Sequence, residues 1–246
     1  MNRFFVNPDR MLNNTVDIDG EDAIHILKVL RLKEGDSIEI CDGAGNDYKG
    51  ILIKSSKSRV RVLLENPSPT KGEPKIKVTL YQGVPKGSKM DLIIQKCVEL
   101  GIHSIVPVIT ARTIVDLSRA EKANKKVARW RKISEEAAKQ SKRGIIPEIH
   151  LPLHYSEVIE MVSDSLKLLP WEEESCTSLR TALENAGKLK DISILIGPEG
   201  GFEKGEIDMA KQKGWNVVTL GPRILRTETA GMAVLSAIMF YMEEME

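Results

Sequence analysis

Apolar positions change rhythm once along the chain. In "SIEICDGAGNDYKGILIKSSKSRVRVLL" (Ser37–Leu64) apolar and polar residues alternate, which predicts short strands around Cys41, Ile51–Ile53 and Val60–Leu64. The turn cluster Asp42–Asp47 predicts a hairpin tip, and Ala23, Ile24, Leu27, Leu30 and Leu32 predict a short helix closed by the "KEGD" turn. After residue 74 apolar strands alternate with helical stretches. Strands are expected at Lys75–Gly83 and Ser104–Thr110, and helices at Ser88–Leu100, between Gly87 and Gly101, and around Ala120–Lys142. Further on, "PEIHL" and "LKLLPW" read as short strands flanking a helix near Ser156–Ser163, and "SILIG", "NVVTLG" and a final helix Glu228–Met242 complete the series. This order predicts an α/β fold, a parallel sheet covered by helices on both faces. Asn66–Pro74 holds three prolines and a glycine and marks the boundary between a β-rich domain, 1–70, and an α/β domain, 74–246.

At 246 residues the chain has room for two ordinary domains, each with a core. No apolar run approaches the roughly 18 residues of a membrane span. The opening "MNRFFVNPDR" carries no extended apolar segment of the secretory kind. Three widely spaced cysteines, Cys41, Cys97 and Cys176, argue against a disulfide framework or a cysteine-based zinc site, so a reducing, cytoplasmic setting is expected. His150 and His154 have i, i+4 spacing, but Pro152 interrupts the helix that a metal pair would need, and no metal is expected. The net charge of +1 hides a segregation: residues 112–143 hold eleven basic and four acidic side chains, a candidate contact for a polyanion or a solvated lysine-rich face.

Two apolar strands end in Gly-Pro, in "ILIGPEGGF" (Ile194–Phe202) and "NVVTLGPRILRTETA" (Asn216–Ala230). Loops after the carboxyl ends of parallel strands are where open α/β sheets bind ligands. Neither loop fits the P-loop or the dinucleotide fingerprint, and the first offers a carboxylate, Glu199, where a phosphate cradle would favour a lysine. An adenine-bearing ligand without phosphates fits better, and S-adenosylmethionine meets that description.

"LIGPEGGF" followed by "LGPRILRTETA" and a helix of small residues resembles the C-terminal signature of SPOUT-class methyltransferases. The nearest resemblance is to the bacterial 16S ribosomal RNA uridine-N3 methyltransferases (RsmE type). "RFFV" (Arg3–Val6), "HILKVLRLKEGD" (His25–Asp36), "PKGSKMDLIIQKCVELGI" (Pro85–Ile102) and "RWRKISEEAAKQSKRGIIPEI" (Arg129–Ile149) resemble family motifs in the same order. The resemblance implies a small PUA-like β-barrel that helps hold RNA, then a SPOUT domain with a C-terminal trefoil knot. It also implies a homodimer with active sites near the subunit interface, acting on 16S RNA in the 30S subunit.

Carried over by motif, the donor pocket would use Leu195, Ile196, Gly197, Glu199, Gly200 and Gly201 from the first loop, and Leu220, Gly221, Ile224, Leu225 and Arg226 from the second. Uracil N3 must lose a proton before it attacks a methyl group, so the site needs a proton acceptor or cationic donors for charge developing on O2 and O4. Arg226 would orient the base or stabilise that charge, and Glu228 would position the site, with the proton acceptor left open. RNA contacts would come from Arg3, Arg31, Arg112, Arg129, Arg131, Lys132, Lys139, Lys142 and Arg143. The chain departs from the family pattern at Ala111, where an acid is usual, and at Lys139 and Lys142, where an acid and a glycine are common. A noncatalytic PUA-type RNA-binding protein and a SPOUT enzyme acting on another RNA site are the alternatives.

Overall fold

A computed structural model describes residues 3–117, 119–163, 166–187 and 189–245. It divides into two compact units: Met1–Glu73 with Ala138–Ile146, and Pro74–Ala137 with Pro147–Glu246. The break after Glu73 lies in the proline-rich stretch. The return of Ala138–Ile146 to the first unit has no signature in the hydrophobic pattern, because polar contacts anchor it: Lys139 reaches Asp22 at 3.4 Å, and the Gly144 carbonyl accepts from Cys41 Sγ at 3.2 Å and from the Gly45 N–H at 3.3 Å. The Glu73 carboxylate accepts hydrogen bonds from the Arg143 guanidinium at 2.8 Å and from the backbone N–H groups of Gly144 and Ile145 at 2.7 and 3.0 Å.

The first unit contains β1 (Arg3–Phe5), β2 (Met11–Leu12), β3 (Thr15–Asp19), α1 (Gly20–Ile24), β4 (Ser37–Cys41), β5 (Asn46–Ser56), β6 (Arg59–Leu64) and β7 (Ser68–Pro69). The expected short helix is α1 running on into a π-helical turn, His25–Val29, that buries Ala23 and Ile26. Strand order is β1-β4-β5-β6-β3-β2, with β7 on β5. Alternation sets the faces: Val60, Val62 and Leu64 of β6 point inward and Arg59 and Arg61 outward. Phe4, Ile18, Ile38, Ile40, Leu52 and Val62 pack with Ala23 and Ile26 into one core. Among the described residues no ladder joins β1 to β2, the two ends of this strand order.

The second unit runs β8 (Lys77–Gly83), α2 (Lys89–Glu99), β9 (Ser104–Ile109), α3 (Ala120–Gln140, its last turn grouped with the first unit), β10 (Glu148–Ile149), β11 (Leu153–His154) and α4 (Tyr155–Met161). It continues with β12 (Leu166–Pro170), α5 (Leu179–Asn185), β13 (Asp191–Ile196), α6 (Lys204–Gln212), β14 (Asn216–Val218) and α7 (Thr227–Tyr241). Helices α5 and α6 escape the pattern reading because each buries only two side chains, Ala182 and Leu183 or Ile207 and Ala210, too few to show a period.

The ladders of this sheet are parallel, in the order β10-β9-β8-β13-β12-β14, with β11 also on β9. Strand β13 is buried along almost its whole length, as a central parallel strand should be. Its Leu195 packs with Val158, Ile159, Ile207 and Ala210 of α4 and α6 on one face. Ile194, paired with Leu80, lies on the other face, where a Cβ on Gly231 of α7 would lie 3.6 Å from Leu80. Helices therefore cover both faces, and the carboxyl ends of β12, β13 and β14 point the same way.

Candidate active site

A cavity of about 740 Å³ lies at those strand ends. Three loops wall it: Trp171–Ser175 after β12, Gly197–Phe202 after β13, and Thr219–Arg226 after β14. Lys89, the first residue of α2, and Thr227, Glu228 and Ala230 at the start of α7 complete the lining.

The first loop is held from several sides. At the end of β8, Gly83 runs so close beneath it that a Cβ there would meet the Pro198 nitrogen at 2.6 Å. Thr227 Oγ1 donates to the Gly197 carbonyl at 2.6 Å and accepts from Nε2 of the fully buried Gln82 at 2.9 Å. Arg112 donates to the Gly200 carbonyl at 2.7 Å. Glu199 accepts from the Lys86 N–H at 3.1 Å and pairs with Lys89 Nζ at 3.0 Å. Burial opposes its charge, yet hydrogen bonds from its own backbone N–H, Lys89 and the Lys86 N–H hold its carboxyl below the usual glutamate value. Hydrogen bonding to Glu199 raises Lys89 above the usual ammonium value against a desolvation cost. Lys89 also reaches Glu228 Oε2 at 3.5 Å. That oxygen is buried and accepts no hydrogen bond among the described residues.

The second loop is tied at its start, where the Thr219 N–H donates to the Thr177 carbonyl at 2.8 Å, and is open from Gly221 to Ile224. Gly221 has φ +95°, and a Cβ there would meet nothing within 4 Å. Pro222 and Arg223 are exposed, and Ile224 is 86% exposed. In the third loop Glu174 accepts backbone N–H bonds from Cys176, Thr177 and Ser175, which lower its pKa with help from Lys211 at 3.8 Å.

Of the residues expected at a donor pocket, Ile196, Gly197, Glu199, Gly201, Leu220, Gly221, Ile224, Leu225 and Arg226 line this cavity, as does Glu228. Gly200 and Leu195 do not appear in the lining. Gly200 packs against Arg112, and strand alternation turns the fully buried Leu195 to the face opposite Ile196. The sequence reading missed Lys89 and the third loop with Trp171, Glu172 and Glu174. Their signals were present, as the lysine in "PKGSKMD" and as an acidic cluster directly after a short apolar strand.

The residues expected to meet RNA fall into two groups. In the first unit Arg3 is buried and ion-paired with Asp47 and Glu39, and Arg143 is 3% exposed and paired with Glu73. Their charge is neutralised internally, which differs from a surface role, and burying a guanidinium requires such partners. Lys139 reaches Asp22 at 3.4 Å. Arg31 and Lys142 are exposed with φ of +53° and +59°. Lys142 thus holds a left-handed conformation where the family pattern commonly has glycine. In the second unit Arg112, Arg129, Arg131 and Lys132 are exposed. Arg129 pairs with Asp91, and Arg131 Nε donates to the Ile149 carbonyl at 3.0 Å.

The model of an RNA methyltransferase domain matches residues 72–239, and that of an RNA methyltransferase PUA domain matches residues 18–65. The chain is 37% identical to ribosomal RNA small subunit methyltransferase E of Bacillus subtilis (strain 168) over 234 residues, covering 93% of this chain and 91% of the relative. It is 34% identical to the protein of the same name from Synechocystis, covering 96% of this chain and 76% of that relative. A crystal structure of ribosomal RNA small subunit methyltransferase E from Neisseria gonorrhoeae bound to S-adenosyl methionine superposes with a TM-score of 0.87 at 32% identity, covering 98% of each chain. A PUA domain followed by a parallel-sheet domain with a glycine-walled cavity defines an RNA methyltransferase. Within that class, the chain belongs to the ribosomal RNA small subunit methyltransferase E family.

The cavity suits S-adenosylmethionine on its own chemistry. Its volume lies within the range of small-molecule sites. Glu172, Glu174, Glu199 and Glu228 line it with Lys89, Arg223 and Arg226, so the lining carboxylates outnumber the lining cations by one, which suits a ligand of net charge +1.

Proposed function

We propose that this protein transfers a methyl group from S-adenosylmethionine to N3 of a uridine in the 16S ribosomal RNA of the small (30S) subunit. The observation that carries the reading is the cavity walled by both Gly-Pro loops, with Arg226 and Glu228 in its lining. Gly197, Gly201, Leu220, Gly221 and Leu225 would hold the donor through backbone groups and apolar surface. When bound, the sulfonium donor supplies an electrophilic methyl group, which leaves sulfur for N3 as the N3 proton passes to an acceptor. Arg226, exposed on the second loop, would stabilise negative charge on the uracil oxygens. Glu228, fixed at the start of α7 and paired with Lys89, positions the site.

Arg31 and Lys142 of the first unit, and Arg112, Arg129, Arg131 and Lys132 of the second, are the exposed members of the RNA-facing set. Burial of Arg3 and Arg143 assigns those two to the fold. The chain acts in the cytoplasm, where ribosomal RNA is found, and pairs as a homodimer. Exposed Leu92 on α2 and Phe240 and Tyr241 on α7 offer the apolar surface for a second copy. Insertion of β13 between β8 and β12, with its loop braced by α7, supports the knotted threading that the resemblance implies.

Deleting the gene and mapping ribosomal RNA modifications by mass spectrometry tests the reading. We expect loss of 3-methyluridine from 16S RNA alone, restored by the wild type and not by Arg226→Ala. An unchanged modification map would sink it.

A further inference from the structure

Lys89 occupies a position that the donor chemistry alone does not require. It begins α2, whose next buried residues, Met90 and Ile93, fix the helix in the core. Its ammonium stands 3.0 Å from Glu199 Oε1 and 3.5 Å from Glu228 Oε2. One cation is thus shared by carboxylates from two different elements, the first loop and α7. Glu228 Oε2 is buried without a hydrogen-bond donor among the described residues, so the ion pair with Lys89 is what compensates its burial.

We propose that Lys89 is a specificity-determining residue that sets the charge of this cavity, and with it the preference for the cationic methyl donor over the neutral thioether left after transfer. The inference rests on the methyl-donor reading above. The sulfonium charge disappears during transfer, so excess negative charge in the cavity stabilises the reactant more than the transition state or the product. With Lys89 the cavity holds one more carboxylate than cations, and without it two more. A unit charge inside a protein is worth several times more than in water. Lys89 therefore restrains the grip on the donor without contributing a reacting group.

The test is calorimetric titration of the full-length protein with S-adenosylmethionine and with S-adenosylhomocysteine, for wild type, Lys89→Met and Lys89→Arg. Lys89→Met should shift the ratio of the two affinities towards the donor by about fivefold, and Lys89→Arg should leave it within about twofold of wild type. Glu199→Gln removes a carboxylate instead and should shift the ratio the other way, which keeps the test decisive should Lys89→Met fail to fold. Equal changes in both affinities, or an unchanged ratio in a folded variant, would overturn the proposal. If the wild type binds neither ligand, the methyl-donor reading itself fails and the role of Lys89 falls with it.

Discussion

The two Gly-Pro loops are close relatives in sequence and opposites in mechanics. Gly197-Pro198 follows a strand buried on both faces, and Pro198 itself is buried. That loop is clamped by Gly83 from below, by Thr227 at one carbonyl, by Arg112 at another, and by Lys86 and Lys89 at its one acid. Gly221-Pro222 follows a three-residue strand, lies at the surface, and carries an almost fully exposed Ile224. The same dipeptide therefore builds a clamped wall in one place and an exposed flap in the other. What separates them is the number of independent elements that reach each loop. A clamped wall can hold a ligand in one accurate position.

The contrast breaks most visibly at Gly83. An alanine there would put its Cβ 2.6 Å from the Pro198 nitrogen and 2.9 Å from the Gly197 carbonyl carbon, both backbone atoms that cannot swing aside. The strand end and the loop must separate, and the expected cost is about 3 kcal/mol of unfolding free energy. Denaturant unfolding measures it. A change below about 1 kcal/mol would show that the first loop yields easily and that the two loops differ less than their contacts indicate.

Thr227→Val sharpens the same point by removing a clamp without adding bulk. The buried hydroxyl gives a hydrogen bond to Gly197 and takes one from Gln82, whose Oε1 already lacks a partner. Valine leaves the Gly197 carbonyl and the Gln82 amide short of a partner in a buried place. About 2 kcal/mol of stability should be lost. Donor affinity should fall with it, because the Gly197 wall loses its brace to α7. A variant with wild-type thermal stability and donor affinity would remove Thr227 from the account.

How much of this was legible in the sequence follows the same division. The parallel sheet, the two loops and most of the pocket lining could be read from local pattern and motif, because glycine, proline and buried strands leave marks within a few residues. The clamps could not be read. Arg143 meets Glu73 across 70 positions, Thr227 meets Gln82 across 145, and Lys86 meets Glu199 across 113. No periodicity records such pairs. For this reason Arg3 and Arg143 read as free cations for RNA in the sequence alone, and Lys89 carries no assigned role there. Leu195 was grouped with its neighbours in the motif, although period-two alternation places it on the face of β13 opposite Ile196.

The smallest expected effect lies in the open loop. Gly221 has space on every side, so Gly221→Ala meets no atom, and its cost comes from the backbone alone. At φ +95° an L side chain is strained, by about 1 kcal/mol, and part of that strain can relax because Pro222, Arg223 and Ile224 are exposed and free to follow. Unfolding experiments should therefore show roughly a third of the loss seen at Gly83. Amide exchange should be unaltered at Gly200 and Gly201, since among the described residues no hydrogen bond or ion pair joins the second loop to the first. If Gly221→Ala costs as much as Gly83→Ala, the open loop is held as firmly as the clamped one. The distinction between wall and flap would then have to be abandoned.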